Sequence, residues 1–368
     1  MDSSNPFFER QKLKFHHYAL TAAALAVSAQ ALACTGITLN GADGSRVTAR
    51  SIEWGSSVLP TTLVVVPRGT PSQTQTALGA GMQYKNTIGY AGLSIEDKSF
   101  VVEGLNEKGL SAGLFFFPGY GQYPEYDAAK KDKTLSDMEF VAWVLGNFES
   151  VKAARAALPD IRVAERFKGA GTVHYRIADK TGEQIVVEIV DGKMRIFDNP
   201  IGVLTNSPGF EWQMTNLNNF MNLKPGRTPD VKWNNVTLKS PGIGSGMTGL
   251  PGDITPPSRF VRAAFMVSTA PALKDAQTTV LYSFKILNAF EIPIGLELED
   301  GNNPTGLLSA TQWTSASDMT NGKLYYKTMN NARVRCLDLK TIDFSKVTYQ
   351  TLPIEKESAE PIESVTLH

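Results

Sequence analysis

Ala31-Leu32-Ala33, directly in front of Cys34, divides the 368 residues into two unequal parts, and only the second has a fold to form. Arg10, Lys12 and Lys14 supply a basic start, residues 18–29 are a short alanine-rich apolar run, and small residues stand at −3 and −1 before the cysteine. That order is a secretory signal peptide, and its apolar run is too short to span a bilayer. Residues 1–33 are therefore expected to be removed. Residues 34–368 would remain as a single domain, periplasmic or secreted, that begins with Cys34. The competing reading is a lipoprotein signal; Ala rather than Leu at −3 speaks against it, and acylation would leave no free thiol.

A cysteine at a free N-terminus carries nucleophile and base on one residue. The thiol attacks a carbonyl, and the α-amine, with a reference pKa of about 7.7–8.0, takes and returns the proton. A nucleophile and its base must lie within hydrogen-bond reach, and here covalent geometry guarantees it.

The rest of the composition narrows the chemistry. Lys and Arg number 36, as do Asp and Glu, and the leader removes three of the former and two of the latter. The mature chain is thus near net charge −1, without the basic excess that nucleic-acid binding needs. Beyond the leader no apolar stretch reaches transmembrane length. Of four histidines, His16 and His17 leave with the leader and His368 is the last residue. His174 lies in a predicted strand, 173–177, and reads as a sheet histidine with satisfied hydrogen bonds. A histidine-rich zinc site is thereby ruled out. A Cys-His dyad would have to use His174, which leaves the α-amine as the base. No cofactor or metal is implied. Cys336, in the alternating segment 332–339, reads as a buried strand residue.

Periodicity and turn residues predict a hairpin from Cys34 through a turn at 41–44 to Ile52, and a strand over 61–66. Residues 70–85 read as a polar loop. A strand pair spans 99–103 and 109–117 around Asn106-Glu107-Lys108-Gly109. Helical spacing covers 132–148 and 150–158, the second ended by Pro159. Hairpins return over 171–203, with turns at 179–182 and 191–192. Helices follow over 258–270 and 276–290, then short strands from 312 to 347 and a wandering polar tail. This alternation of strand and helix blocks implies a layered α+β domain.

Six segments, in this order and spacing, resemble the choloylglycine hydrolase family of penicillin V acylases and conjugated bile salt hydrolases. They are Cys34-Thr35-Gly36-Ile37-Thr38, Ala49-Arg50-Ser51-Ile52-Glu53-Trp54, residues 106–110, residues 178–183, Leu204-Thr205-Asn206-Ser207-Pro208 and residues 249–264. The resemblance spans nearly the whole mature chain. The leader ahead of the cysteine is similar to the Gram-negative penicillin V acylase branch, whose members often cleave N-acyl homoserine lactones, the quorum-quenching reaction. The resemblance implies the N-terminal nucleophile fold, a four-layer αββα sandwich, and a homotetramer.

It also implies roles. Cys34 matches the nucleophile, forming a thioester acyl-enzyme, and Arg50 the arginine that favours its thiolate. Glu53 stands where many members have Asp, to hold the α-amine or thiol. Asn206 matches the oxyanion-hole asparagine, and Arg259 the arginine that orients Cys34. The second oxyanion position is Asn in bile salt hydrolases and Tyr in many penicillin acylases. Here it falls on Phe115, whose side chain cannot donate, so its backbone N–H is expected to serve. Trp54, Phe115, Phe116 and Phe117 suggest a pocket for an apolar acyl group on a small-molecule amide, although alternate strand residues face opposite ways. The alternatives are a bile salt hydrolase, and a non-catalytic exported binding protein or lipoprotein on the same fold.

Overall fold

A computed structural model describes residues 33–297 and 307–367. Residues 1–32 of the expected leader, 298–306 and His368 lie outside the described residues.

Two antiparallel sheets carry the fold. The first contains β1 (Cys34–Asn40) and β2 (Arg46–Ser56), the hairpin expected around residues 41–44. The second gathers β3 (Thr61–Val66), β4 (Tyr90–Ile95), β5 (Val101–Asn106), β6 (Leu110–Phe116), β7 (Val173–Asp179), β8 (Gln184–Val190) and β9 (Lys193–Asp198). The chain then returns to the first sheet with β10 (Val203–Leu204), β11 (Leu307–Asp318), β12 (Lys323–Thr328) and β13 (Asn331–Asp338), and β14 (Gln350–Pro353) closes the second. The six strands of the first sheet run β10-β1-β2-β11-β12-β13; the eight of the second run β9-β8-β7-β6-β5-β4-β3-β14.

Helices cover the outer faces. The helices α1 (Phe140–Asn147) and α2 (Val151–Ala157) lie on β5, β6 and β7. Beyond α3 (Phe210–Asn216), the helices α4 (Pro256–Ser268) and α5 (Ala276–Asn288) lie on β1, β2, β10 and β11. The layers are thus helix, sheet, sheet, helix. Local chemistry sets the ends: Ser150 caps α2 by accepting from Ala153 N–H, Asp275 caps α5 by accepting from Thr278 N–H, and α4 opens with proline. Among these, α1 is buried from Phe140 to Gly146 on every side, as an apolar run with no polar face requires.

Four expectations fail locally. Residues 70–85 form a hairpin, Pro71–Thr76 with Gly79–Lys85, because Thr74 and Thr76 turn inward in a strand whose other residues are polar. The helix expected over 132–148 starts only at Phe140. Before it, Thr134–Ser136 pairs in parallel with Arg162–Ala164, and the Asp137 carboxylate accepts from the backbone N–H groups of Met138 and Arg166. Cys336 sits in β13 as expected but is exposed, on the strand that ends its sheet. The tail is tied down by β14 and by Glu355, which takes Arg335 at 2.8 Å.

Candidate active site

Register brings the site together. In β1, Cys34 pairs with Ile52 and Gly36 with Arg50, so Arg50 points along the same face as the cysteine. On the other side Gly36 pairs with Leu204, and continuing that antiparallel register sets Asn206 opposite Cys34. Arg259 comes from the first turn of α4, above the same strand.

Arg50 is fully buried and donates from Nη2 to Cys34 Sγ at 2.9 Å. Nε and Nη1 go to backbone carbonyls: Nε to Ser51 at 3.1 Å, and Nη1 to Val102 at 3.3 Å and Leu114 at 2.5 Å. Burial pushes the Cys34 thiol up. Arg50 opposes this most, Glu53 adds to it, and the Phe116 backbone N–H and Arg259 pull it down. Gly36 has a steric reason: a Cβ there would stand 2.6 Å from the Phe115 ring and 3.2 Å from Arg176 Nη1.

Asn206 is held by three partners that fix which end of its amide is which. Oδ1 accepts from the Cys34 backbone N–H at 2.8 Å and from Arg259 Nη2 at 2.8 Å, while Nδ2 donates to the Phe116 carbonyl at 2.7 Å. The second N–H of Nδ2 is therefore the one left for an oxyanion. Arg259 also donates from Nη1 to the Cys34 carbonyl at 2.5 Å and to Thr35 Oγ1 at 2.9 Å. One guanidinium thus fixes the backbone and the amide on either side of the sulfur.

Glu53 is buried on β2. Its Oε1 accepts from Thr311 Oγ1 at 3.0 Å, while Oε2 has no hydrogen-bond partner among the described residues. Burial pushes its carboxyl up to about 7, against the pull of Arg259. The Glu53 backbone N–H donates to the Ala33 carbonyl at 2.9 Å, and Ala33 is itself buried. The bond between Ala33 and Cys34 is therefore part of the sheet.

The aromatic residues divide as strand alternation demands. Phe115 is fully buried, its ring centre 4.4 Å from the Arg50 guanidinium carbon and 5.7 Å from that of Arg176. Phe117 is fully buried and stacks on His174 at 4.5 Å. Neither is left to line a pocket, which corrects that expectation for both. The backbone donor beside the sulfur belongs to Phe116, one residue later than the Phe115 expected. Phe116 is nearly buried, with its ring against Gly171, where a Cβ would come within 2.6 Å. Gly171 lines a cavity of about 660 Å³ together with Leu78, Tyr123, Tyr126 and Thr172. Trp54 remains half-buried, its indole N–H without a partner among the described residues. His174 has both ring nitrogens engaged, Nδ1 with Glu188 at 3.1 Å and Nε2 with the Thr205 carbonyl at 3.0 Å. Sequence reasoning missed Glu103 and Arg176, a buried pair at 2.6 Å between the sheets; partners 73 residues apart carry no local signal.

A family model described as linear amide C–N hydrolases, choloylglycine hydrolase family, matches residues 34–352. The bile salt hydrolase/transferase of Clostridium perfringens (strain 13 / Type A) is 32% identical over 317 residues, covering 83% of this chain and 92% of the relative. A crystal structure of a mutant conjugated bile acid hydrolase from Clostridium perfringens matches the fold with a TM-score of 0.79 at 29% identity, over 90% of this chain and 100% of that one. The penicillin V acylase of Agrobacterium tumefaciens matches with a TM-score of 0.71 at 25% identity, over 88% of this chain and 92% of the other.

Proposed function

This chain belongs to the choloylglycine hydrolase family of linear amide C–N hydrolases and has the α+β sandwich of the N-terminal nucleophile hydrolases, and from that premise we propose that it cleaves amides of apolar acyl groups with Cys34 as nucleophile. The observation that carries the reading is the 2.9 Å contact from Arg50 Nη2 to Cys34 Sγ, in a site where Nε and Nη1 of Arg50 are bound to carbonyls.

The steps follow from the groups at hand. Removal of residues 1–33 frees the Cys34 α-amine, which keeps Asn206 Oδ1 as an acceptor and gains the unpartnered Oε2 of Glu53 as an ion-pair partner. The thiolate attacks the amide carbon, and the carbonyl oxygen takes the negative charge between the Phe116 N–H and the free N–H of Asn206. Collapse of that intermediate breaks the C–N bond, and the leaving amine takes a proton from the α-ammonium. Water then attacks the thioester, giving its proton to the α-amine, and the thiolate leaves with the acid released. Arg259 keeps the Cys34 carbonyl and Asn206 in register throughout.

Trp54 offers a half-buried aromatic face, whereas the cavity at Gly171 is lined by none of the site residues. The Trp54 face, with no Asn at the Phe115–Phe116 positions, favours penicillin V or a long-chain acyl homoserine lactone. The 32% identity to a bile salt hydrolase/transferase favours a second reading, conjugated bile salts. Hydrolysis by the purified chain starting at Cys34 decides between them, with penicillin V, a long-chain acyl homoserine lactone and glycocholate at equal concentration. Turnover of either of the first two with glycocholate intact supports the first reading; fast glycocholate cleavage replaces it with the second. No cleavage of any of them overturns the proposal in favour of a binding protein.

Export to the periplasm or medium and assembly as a homotetramer belong to the same proposal. N-terminal sequencing of the exported protein, expected to begin at Cys34, tests the first. Light scattering tests the second, which the exposed hairpin Val231–Trp233 with Val236–Leu238 supports.

A further inference from the structure

Arg50 on β2, Glu103 on β5 and Arg176 on β7, each at most 1% exposed, form a cluster between the sheets that reaches Cys34 through Arg50. Two are cations and one is a carboxylate. Arg176 Nη2 holds Glu103 Oε1 at 2.6 Å, with the Ser111 hydroxyl on the same oxygen at 3.2 Å, and Arg176 Nη1 goes to the Ala49 carbonyl at 3.3 Å. Arg50 has no carboxylate among its partners. The Phe115 ring lies close to both guanidiniums.

We propose that Arg176 is a positioning residue for the Cys34 thiolate: by engaging Glu103 it keeps that carboxylate off Arg50, so that the sulfur is the anion left for Arg50 to balance. The proposal rests on Cys34 being the nucleophile. A buried charge without a counterion is costly, and two arginines with one carboxylate leave one positive charge over. A thiolate on Cys34 completes the set. Glu103 already feels both cations: burial pushes its carboxyl up, and Arg176, then Arg50, pull it down. Without Arg176, Arg50 is the cation that remains to it.

Other charges face these groups and stay fixed in the comparison. Cys34 is faced by Arg50 and Glu53 from β2, by Arg259 from α4, and after processing by its own α-amine. Glu103 is faced by Arg176 from β7, Arg50 from β2 and Ser111 from β6. His174 and Glu188 pair with each other beyond Phe115, whose ring is 6.2 Å from the histidine.

The sign of the effect separates this role from simple support of the fold. Arg176→Gln leaves Arg50 and Glu103 to balance each other, so a thiolate becomes surplus negative charge and the thiol pKa rises. Glu103→Gln leaves two uncompensated cations, so the thiol pKa falls. Arg176→Lys keeps the charge, and the double variant restores one cation to one thiolate; both are expected near the parent.

The measurement is the pH dependence of iodoacetamide alkylation of Cys34, in the processed protein carrying Cys336→Ser so that the exposed second thiol does not react. The expected displacement is about one pH unit, which is tenfold in rate on the acid limb, upward for Arg176→Gln and downward for Glu103→Gln. Displacement of both in one direction, or of neither, overturns the proposal. If Arg176→Gln fails to fold, Glu103→Gln and Arg176→Lys still carry the test. Alkylation needs no substrate, so a failed amidohydrolase reading shows up as absent turnover with the displacements intact.

Discussion

The layer between the sheets and the stretch from 221 to 247 use their side chains in opposite ways. Around Cys34 the ionisable residues Arg50, Glu53, Glu103, Arg176 and Arg259 are withdrawn from water. In the second region Met221 is 87% exposed and Ile243 84%, and between them Trp233 is 69% exposed on a hairpin whose two short strands pair only with each other. Buried charge weakens a fold unless it is paired, and exposed apolar clusters mark surfaces made for a partner. The interior has its chemistry to explain its cost, and the proposed assembly would explain the hairpin. A substitution in one region should change turnover and leave assembly alone; a substitution in the other should do the reverse.

Cys34→Ala breaks the comparison hardest if it fails. Turnover should fall by on the order of 10⁴-fold or more, the scale on which a covalent nucleophile acts, with circular dichroism unchanged; Cys34→Ser should keep little activity. Asn206→Ala comes next, with kcat expected to drop roughly 10²–10³-fold from loss of one oxyanion donor, read in steady-state kinetics on the best substrate.

Glu53 gives a smaller effect, on stability. In the chain that still carries Ala33, its carboxyl is raised from 4.5 to about 7, so the folded state holds a proton that the unfolded chain gives up. The stability this represents is full below the unfolded value of 4.5 and is lost as pH rises through about 7, a change on the order of 3 kcal/mol. Unprocessed protein should melt at progressively lower temperature between those limits, and Glu53→Gln should flatten that part of the curve. If parent and variant melt in parallel, Glu53 does not hold the proton. The proposed removal of residues 1–33 would add the Cys34 α-ammonium to the site, and the parent curve is then expected to flatten as well. The least effect on rate belongs to Trp233→Ser with Val236→Ser: kcat within twofold of the parent, and a smaller assembly by light scattering.

What could be read from the sequence was whatever short-range chemistry dictates. The hairpin turns at Gly109 and at Asp191-Gly192 sit at positive φ, where those residue types are at home, and the strands they join followed from alternation. Cys34, Arg50, Asn206 and Arg259 were legible as motif members, and the structure brings them within hydrogen-bond distance of one another. The errors came from tertiary context. Thr134–Ser136 looks helical beside Met138 until Arg162–Ala164 pairs with it. Pro71–Thr76 has no apolar face to announce a strand. Phe115 and Phe116 are indistinguishable in a run of three phenylalanines, yet one lies against the Arg50 guanidinium and the other offers its N–H to the sulfur. Cys336 alternates correctly, but an outermost strand shows one face to water.

The peptide bond between Ala33 and Cys34 is clasped on both sides, its carbonyl by Glu53 and its N–H by Asn206, and it lies below the surface. A protease must draw several residues into extended contact with its own cleft, and a bond already woven into a sheet offers none. If residues 1–33 are removed by an outside protease, as proposed, the cut has to precede the seating of β1. On that proposal, a molecule that folds first would keep its α-amine tied up as an amide, and protease added afterwards would come too late.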